Sequence, residues 1–330
     1  WTLDLPARAE NDTLAPHVRA AGPLLSTVDH WLNLPAEKQF VELKDAEAAK
    51  NGVHALVASG AQAVKVWYIV SPEKTVESSS AAVRAAGDEA KRAGLPLLVH
   101  ATGLAEAKEA LRAGAKLLVH SVSDRPIDDE FIDLAKRAGA IYCPTLTVRD
   151  GYTRMHTAAA NHTTPVIDDP NGCVDQATKA RIEATAKATP RFTLEELESR
   201  KSRRAREVEI ANINLKRLAA EGIPIAMGTD AGNPLTLHGP SVYAEMEAME
   251  AADLTPREVL DASTRGGALA MGREKDLGTI EKGKIADLVI VGADPTAAIK
   301  NLRAVQFVVR AGVVRGIGEL RALASSPEGN

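Results

Sequence analysis

Aromatic residues make up only 3% of the 330 positions. A surface that stacks bases or sugars is therefore disfavoured. Cysteine is scarcer still. Cys143 and Cys173 are too few for a disulfide scaffold or a thiolate zinc site. There is no basic excess, since the formal net charge is -4. That argues against a nucleic-acid partner. No run reaches the roughly 18 apolar residues of a membrane span, so a membrane partner is not expected. No Gly-x-Gly-x-x-Gly follows a strand, and no Gly-x-x-x-x-Gly-Lys-Ser/Thr occurs. A nicotinamide or phosphate-cradling loop is disfavoured on that ground.

What remains is ordinary globular composition, 45% hydrophobic and 25% charged. The length suits one large barrel with an appendage. The chain starts at Trp1, within a polar stretch. A natural start further upstream is expected, which leaves the compartment open.

A rhythm of strand, loop, helix and glycine runs through the first half. Gly22–Val28 reads as a strand. Residues 42–59 carry helical spacing with acidic residues early. Ala61–Val70 is strand-like, with Lys65 inside it. A helix closed by Gly94 follows. The frames Gly-Leu-Pro-Leu-Leu-Val-His100 and Gly-Ala-Lys-Leu-Leu-Val-His120 look like successive strands. Helices over 104–114 and 128–138 and a strand over 140–144 continue the pattern. Such βα alternation builds a parallel sheet.

Residues 146–192 break the rhythm and read as an insertion on the active-site side. A long polar helix spans 194–221. Its run Arg200-Lys201-Ser202-Arg203-Arg204-Ala205-Arg206 reads as a solvated face rather than an anion site. Then Gly222–Asp230 forms an apolar run bounded by glycine and ending in a carboxylate, as a buried strand does. Helices from about Pro240 to Ala252 and from Thr255 follow. Beyond Gly278 the chemistry is that of turns and short strands, Leu288–Val291 and Val305–Val309.

Four strands end in, or contain, a potential metal ligand: Lys65, His100, His120 and Asp230. Each alone has a plain explanation. A strand-end histidine often anchors a loop, a lysine can snorkel at an edge, and an aspartate after Gly-Thr can cap a turn. Together they carry more weight, because a barrel gathers its strand ends around one axis. Imidazoles and a carboxylate suit zinc or a similar divalent ion. A lysine joins such a set only when deprotonated or carboxylated on Nζ. A metal lowers the pKa of bound water to about 7, which makes hydroxide available. Asp230 could take the proton from that water and return it to the leaving group.

The order Lys65, His100, His120, Asp230 resembles the amidohydrolase superfamily. His238-Gly239 and Ala262-Ser263-Thr264 are similar to that superfamily too, and the closing phrase Gly278-Thr279-Ile280-Glu281-Lys282-Gly283-Lys284-Ile285-Ala286-Asp287-Leu288-Val289-Ile290-Val291 resembles its imidazolonepropionase-like branch. The resemblance implies an α/β fold, a (β/α)8 TIM-type barrel of which strands three to eight are recognisable. It also implies part of a small β-sandwich. The domains would be 1–275 for the barrel, with its insertion at about 146–192, then 276–316 for sandwich strands and 317–330 for a tail.

By the same resemblance, a carboxylated Lys65 would bridge two metals. His100 and His120 would hold one of them. Asp230 would bind the other and act as general acid/base. His30 would contact the substrate or the developing oxyanion, or else is a loop histidine bonded to Asp29. His238 would lie behind the ligands or be structural. Tyr68, Thr102 and Tyr142 suit core or rim packing better than a pocket. The partner would be a small-molecule substrate, with a homo-oligomer left open.

One feature departs from the family. Its first strand carries a His-x-His pair, and no two of the eight histidines here are two apart. A truncated start accounts for this, as does a degenerate member with one metal or none. Either way weak metal binding is expected of this chain, and a six-stranded piece would leave costly open edges. Two functions stand side by side. One is metal-dependent hydrolysis of a C–N bond in an amide, a cyclic amide or a dipeptide-like molecule. The other is a non-catalytic barrel acting in binding or as a scaffold.

Overall fold

The computed structural model describes residues 2–28 and 40–324. The chain divides into two compact units. The first comprises Trp1–Pro144, Ile213–Ala226 and Ala270–Gly272. The second comprises Thr145–Asn212, Met227–Leu269 and Arg273–Asn330.

The first unit opens with α1 (Leu5–Glu10). It then runs β1 (Leu24–Ser26), β2 (Phe40–Glu42), α2 (Ala46–Ala58), β3 (Val64–Trp67), α3 (Val76–Arg92), β4 (Leu97–His100), α4 (Leu104–Arg112), β5 (Leu117–Val119), α5 (Asp129–Ala138) and β6 (Ile141–Cys143). The six strands form one sheet in the order β2-β1-β3-β4-β5-β6, and every pairing is parallel. The α/β class expected from the sequence is therefore present. The order is sequential except that β2 lies outside β1. β2 is three residues long and was not legible as a strand.

The helices form where caps and apolar spacing coincide. The Asp45 carboxylate accepts from Ala48 N at 2.8 Å to start α2, whose buried face is Ala49, Gly52, Val53 and Leu56. Thr75 caps α3 and Asp128 caps α5. Gly139 ends α5 in the left-handed conformation, φ 56°. Alternation along the strands then sorts the sheet into two faces. Leu25, Val64, Val66, Leu97, Val99 and Leu118 are buried on the helix side. Burying each contributes roughly 1.5–3 kcal/mol. α3 lies so close to the chain at Ala113 that a Cβ on Gly87 would sit 1.9 Å from the Ala113 carbonyl oxygen. Only glycine fits there.

The Asp230 stretch does not form the full strand expected. Only Ile225 pairs, in a parallel bridge with Tyr142. Tyr142 N donates to Pro224 O at 2.8 Å, and Ala226 N donates to Tyr142 O at 2.9 Å. After that bridge the backbone turns, and Asp230 itself is left-handed, φ 57°.

The second unit contains α6 (Val148–Ala160), α7 (Gln176–Glu183), most of α8 (Leu194–Ala220), α9 (Ser241–Ala251), α10 (Pro256–Asp261) and α11 (Gly267–Ala270). It closes with strands β7 (Leu288–Val291), β8 (Val305–Arg310) and β9 (Val313–Gly316), then α12 (Ile317–Ala324). Two helices thus occupy the 146–192 stretch, which shows little amphipathic pattern in sequence. α7 buries Ile182 alone, so it has no apolar stripe to read. Residues 317–324 are helical rather than an irregular tail. β7, β8 and β9 form a separate antiparallel sheet. Its hairpin turns through Ala311 and Gly312, both at positive φ, the backbone of a two-residue primed turn. Ala311 N donates to Asp287 Oδ1 at 2.7 Å, which offsets the strain at a non-glycine residue.

Candidate active site

In the first unit, the sheet face opposite the helices carries the candidate ligands. Pairing aligns Trp67 with His100 and His100 with Val119. Residues in register share a face, so Lys65, Trp67 and His100 stand together on it. His100 is the last residue of β4, and His120 is the first after β5. His120 has φ 77°, a left-handed conformation that costs a non-glycine residue about 1–2 kcal/mol. Its N–H donates to Cys143 O at 2.9 Å, which holds it there. The two imidazoles meet edge to face with centroids 4.5 Å apart. Trp67 flanks His100 at 6.2 Å, and Phe40 flanks Trp67 at 4.9 Å. Lys65 lies two residues before Trp67, about 6–7 Å back along the strand. Lys65, His100 and His120 are half-buried and all engaged with other groups.

The loop that carries His120 is fixed from behind. Val122 N donates to the Tyr142 hydroxyl at 2.8 Å. Burial pushes that phenol up to about 12, so it stays neutral. Ser121 Oγ donates to Pro144 O at 3.0 Å. Asn214 of α8, fully buried, does most. Its Oδ1 accepts from Ile127 N at 2.8 Å, and its Nδ2 donates to Val122 O at 2.9 Å and Arg125 O at 3.0 Å. Sequence reading passed over Asn214, although a signal was there. Ala211, Leu215 and Leu218 mark the buried stripe of α8. An asparagine at 214 falls on that stripe and needs partners. The two tyrosines also behave as packing residues. Tyr68 is buried, and its hydroxyl donates to Val76 O at 3.1 Å.

Asp230 belongs to the second unit. It is exposed, and its carbonyl accepts from Asn233 Nδ2 at 2.9 Å. Gly232 N donates to Thr236 O at 2.9 Å, closing the loop after it. The Tyr152 hydroxyl contacts Asn233 Oδ1 at 2.5 Å. Burial, and then the Asp230 charge, raise the Tyr152 phenol above its ordinary value. α6 approaches this loop closely. A Cβ on Gly151 would lie 2.2 Å from Pro234 O. A cavity of about 100 Å³ opens beside it, lined by Thr147, Asp150, Arg154, Ile167 and Leu235 among others. Its wall is pinned by Glu245, whose carboxylate is fully buried. It accepts from Leu146 N at 2.7 Å, Thr147 N at 2.9 Å and Thr147 Oγ1 at 2.8 Å. Burial raises the Glu245 carboxyl above its usual range. His238 is exposed, and His30 lies outside the described residues.

The residues present fit a divalent metal in part. Two imidazoles brought together, with a lysine on the same face, are donors that suit zinc. Among the described residues, no group of three or more His, Cys, Asp or Glu side chains is placed to hold an ion.

The imidazolonepropionase of Shouchella clausii is 43% identical over 81 residues, 24% of this chain and 18% of that protein. That of Thermoplasma acidophilum is 36% identical over 78 residues, 24% of this chain and 19% of its own length. The matched stretches span about a fifth of those relatives. A Xaa-Pro dipeptidase crystallised with methionine in its active site superposes with a TM-score of 0.66 at 22% identity. That match covers 96% of this chain and 72% of that one. The bottromycin amidohydrolase also gives 0.66 at 22% identity, over 99% of this chain and 73% of its own. Such identities establish the fold, that of the amidohydrolase barrels. The family model for the amidohydrolase family spans residues 8–317, and the chain belongs to that family.

Proposed function

We propose that this chain acts in metal-dependent hydrolysis of a C–N bond, in an amide, a cyclic amide or a dipeptide-like molecule. The observation that carries the reading is the meeting of His100 and His120, 4.5 Å apart on the face that bears Lys65. The imidazolonepropionase relatives and the dipeptidase and amidohydrolase folds support the same bond class.

His100 and His120 would hold the ion through neutral ring nitrogens. Lys65 would join them as an anionic ligand once carboxylated on Nζ. A bound zinc or similar ion would bring the pKa of water to about 7, making it a nucleophile at neutral pH. Asp230 would take a proton from the attacking water and deliver it to the leaving nitrogen. His30 would donate to the developing oxyanion.

A second reading, a barrel that binds without catalysis, is favoured by one feature. The His-x-His pair of the family does not occur in this chain. Metal analysis with a hydrolysis screen on dipeptides and cyclic amides separates the two. Bound zinc and a turnover that Asp230→Asn abolishes support the hydrolase. A metal-free, inactive protein that still binds small molecules supports the scaffold.

A further inference from the structure

Most cations of the α8 basic run are matched by carboxylates. Lys201 pairs with Glu198 at 2.6 Å, and Arg204 with Glu207 at 3.5 Å. Arg203 reaches Glu207 at 3.9 Å. Arg204 is only 19% exposed and also donates to Leu146 O at 2.9 Å, so the run is not wholly a solvated face, but each of these three has a carboxylate partner. Arg200 does not. Its guanidinium carbon lies over the Phe192 ring, 3.8 Å from the centroid. Arg191 stands over the same ring at 5.4 Å. His156, from α6, meets that ring edge-on, with centroids 4.9 Å apart and planes at 80°. Among the described residues, neither Arg191 nor Arg200 is joined to a carboxylate within ion-pair distance.

Two like charges gathered on one ring repel each other. The ring offsets part of that cost by cation–π attraction. The guanidinium N–H edges have no carboxylate within ion-pair distance among the described residues. Those edges form the planar fork that matches an oxyanion. A fork already held on a ring loses less side-chain freedom on binding than a free one. The third group fits as well. Burial, and then the charges of Arg191 and Arg200, lower the His156 pKa. Both charges acting on it are positive: Arg191 from the loop before α8, Arg200 from α8 itself. A neutral imidazole keeps one N–H to donate.

We propose that Arg191 and Arg200, held on Phe192 beside His156, form a binding site for a small oxyanion, the carboxylate or phosphate group of a small molecule. The site lies wholly in the second unit, uses none of the residues assigned to hydrolysis, and stands whether or not the chain is a hydrolase.

Histidine ring NMR tests it directly. The midpoint of His156 is followed in the full chain while inorganic phosphate or acetate is added at constant ionic strength. Binding brings a negative charge opposite the two guanidiniums. The midpoint then climbs by about one pH unit, the effect of one charge at about 6 Å through an effective dielectric of about 40. Saturation at lower phosphate than acetate assigns the site to phosphate groups, and the reverse order assigns it to carboxylates. Replacing both arginines (Arg191→Gln with Arg200→Gln) removes the response. A His156 midpoint that neither anion moves, or an equal movement in the double variant, overturns the proposal. The wild-type titration decides even if the double variant folds poorly.

Discussion

Replacing Asn214 with leucine should loosen the loop that carries His120. The side chain is fully buried and makes three hydrogen bonds to backbone between 122 and 127. Leucine matches its bulk and offers no polar atom. Ile127 N and Val122 O are then left in buried surroundings, since both residues are buried. Each orphaned group costs about 1–3 kcal/mol. Arg125 is exposed, so its carbonyl can turn to water and adds little. The sum is roughly 2–6 kcal/mol, against which the extra apolar contact of leucine returns about 1 kcal/mol. Amide exchange at Ile127 and its neighbours should accelerate about tenfold for each 1.4 kcal/mol lost, so by one to three orders of magnitude. The β1–β3 amides serve as the internal control. Exchange at Ile127 within threefold of wild type would refute the reasoning. It would mean that the loop is held by Tyr142 and Ser121 alone.

Gly87→Ala should destabilise the first unit by about 2–4 kcal/mol, because its Cβ falls on a backbone oxygen that cannot step aside. A urea midpoint equal to that of wild type would refute this. The Arg303 fork donates to Asp168 at 2.8 Å and holds that carboxyl below its ordinary value. Asp168 is 54% exposed, so the pair contributes only about 0.3–1 kcal/mol. A depressed carboxyl stabilises above its unfolded value and loses that stabilisation as pH falls through its folded value. Protease cutting near 168 should therefore rise below about pH 4. Arg303→Met should flatten that dependence, and an unaltered pH profile would count against the tie. Lys65→Ala should lose hydrolytic activity, and bicarbonate with a small carboxylic acid should restore part of it. An unchanged rate would remove Lys65 from the metal's ligands.

Much of the fold could be read because caps, apolar spacing and glycine stops agree with one another. Around α5, Asp128, the buried Phe131, Ile132 and Ala135, and Gly139 all point to one helix. β2 escaped notice because three residues are too few to show alternation. α7 escaped because its helix buries almost nothing. The Asp230 strand was over-read, since glycine and proline at its edges leave one bridge rather than a ladder. At the site, residue types at strand ends were legible. The left-handed backbone of His120 was not, because it depends on a hydrogen bond donated to the Cys143 carbonyl of β6. The Glu245 contacts were equally hidden, being 98 and 99 residues apart in sequence.

The two-sided sheet has a consequence for how such a protein changes over time. Neighbouring positions on one strand answer to different pressures. Val64 and Val66 are bound to the helices, whereas Lys65 and Trp67 face the other way. A mutation on the second set alters chemistry with little disturbance of packing. A descendant could exchange its ligands or its substrate and inherit the scaffold intact. Selection for stability and selection for activity thus act on alternate letters of the same word.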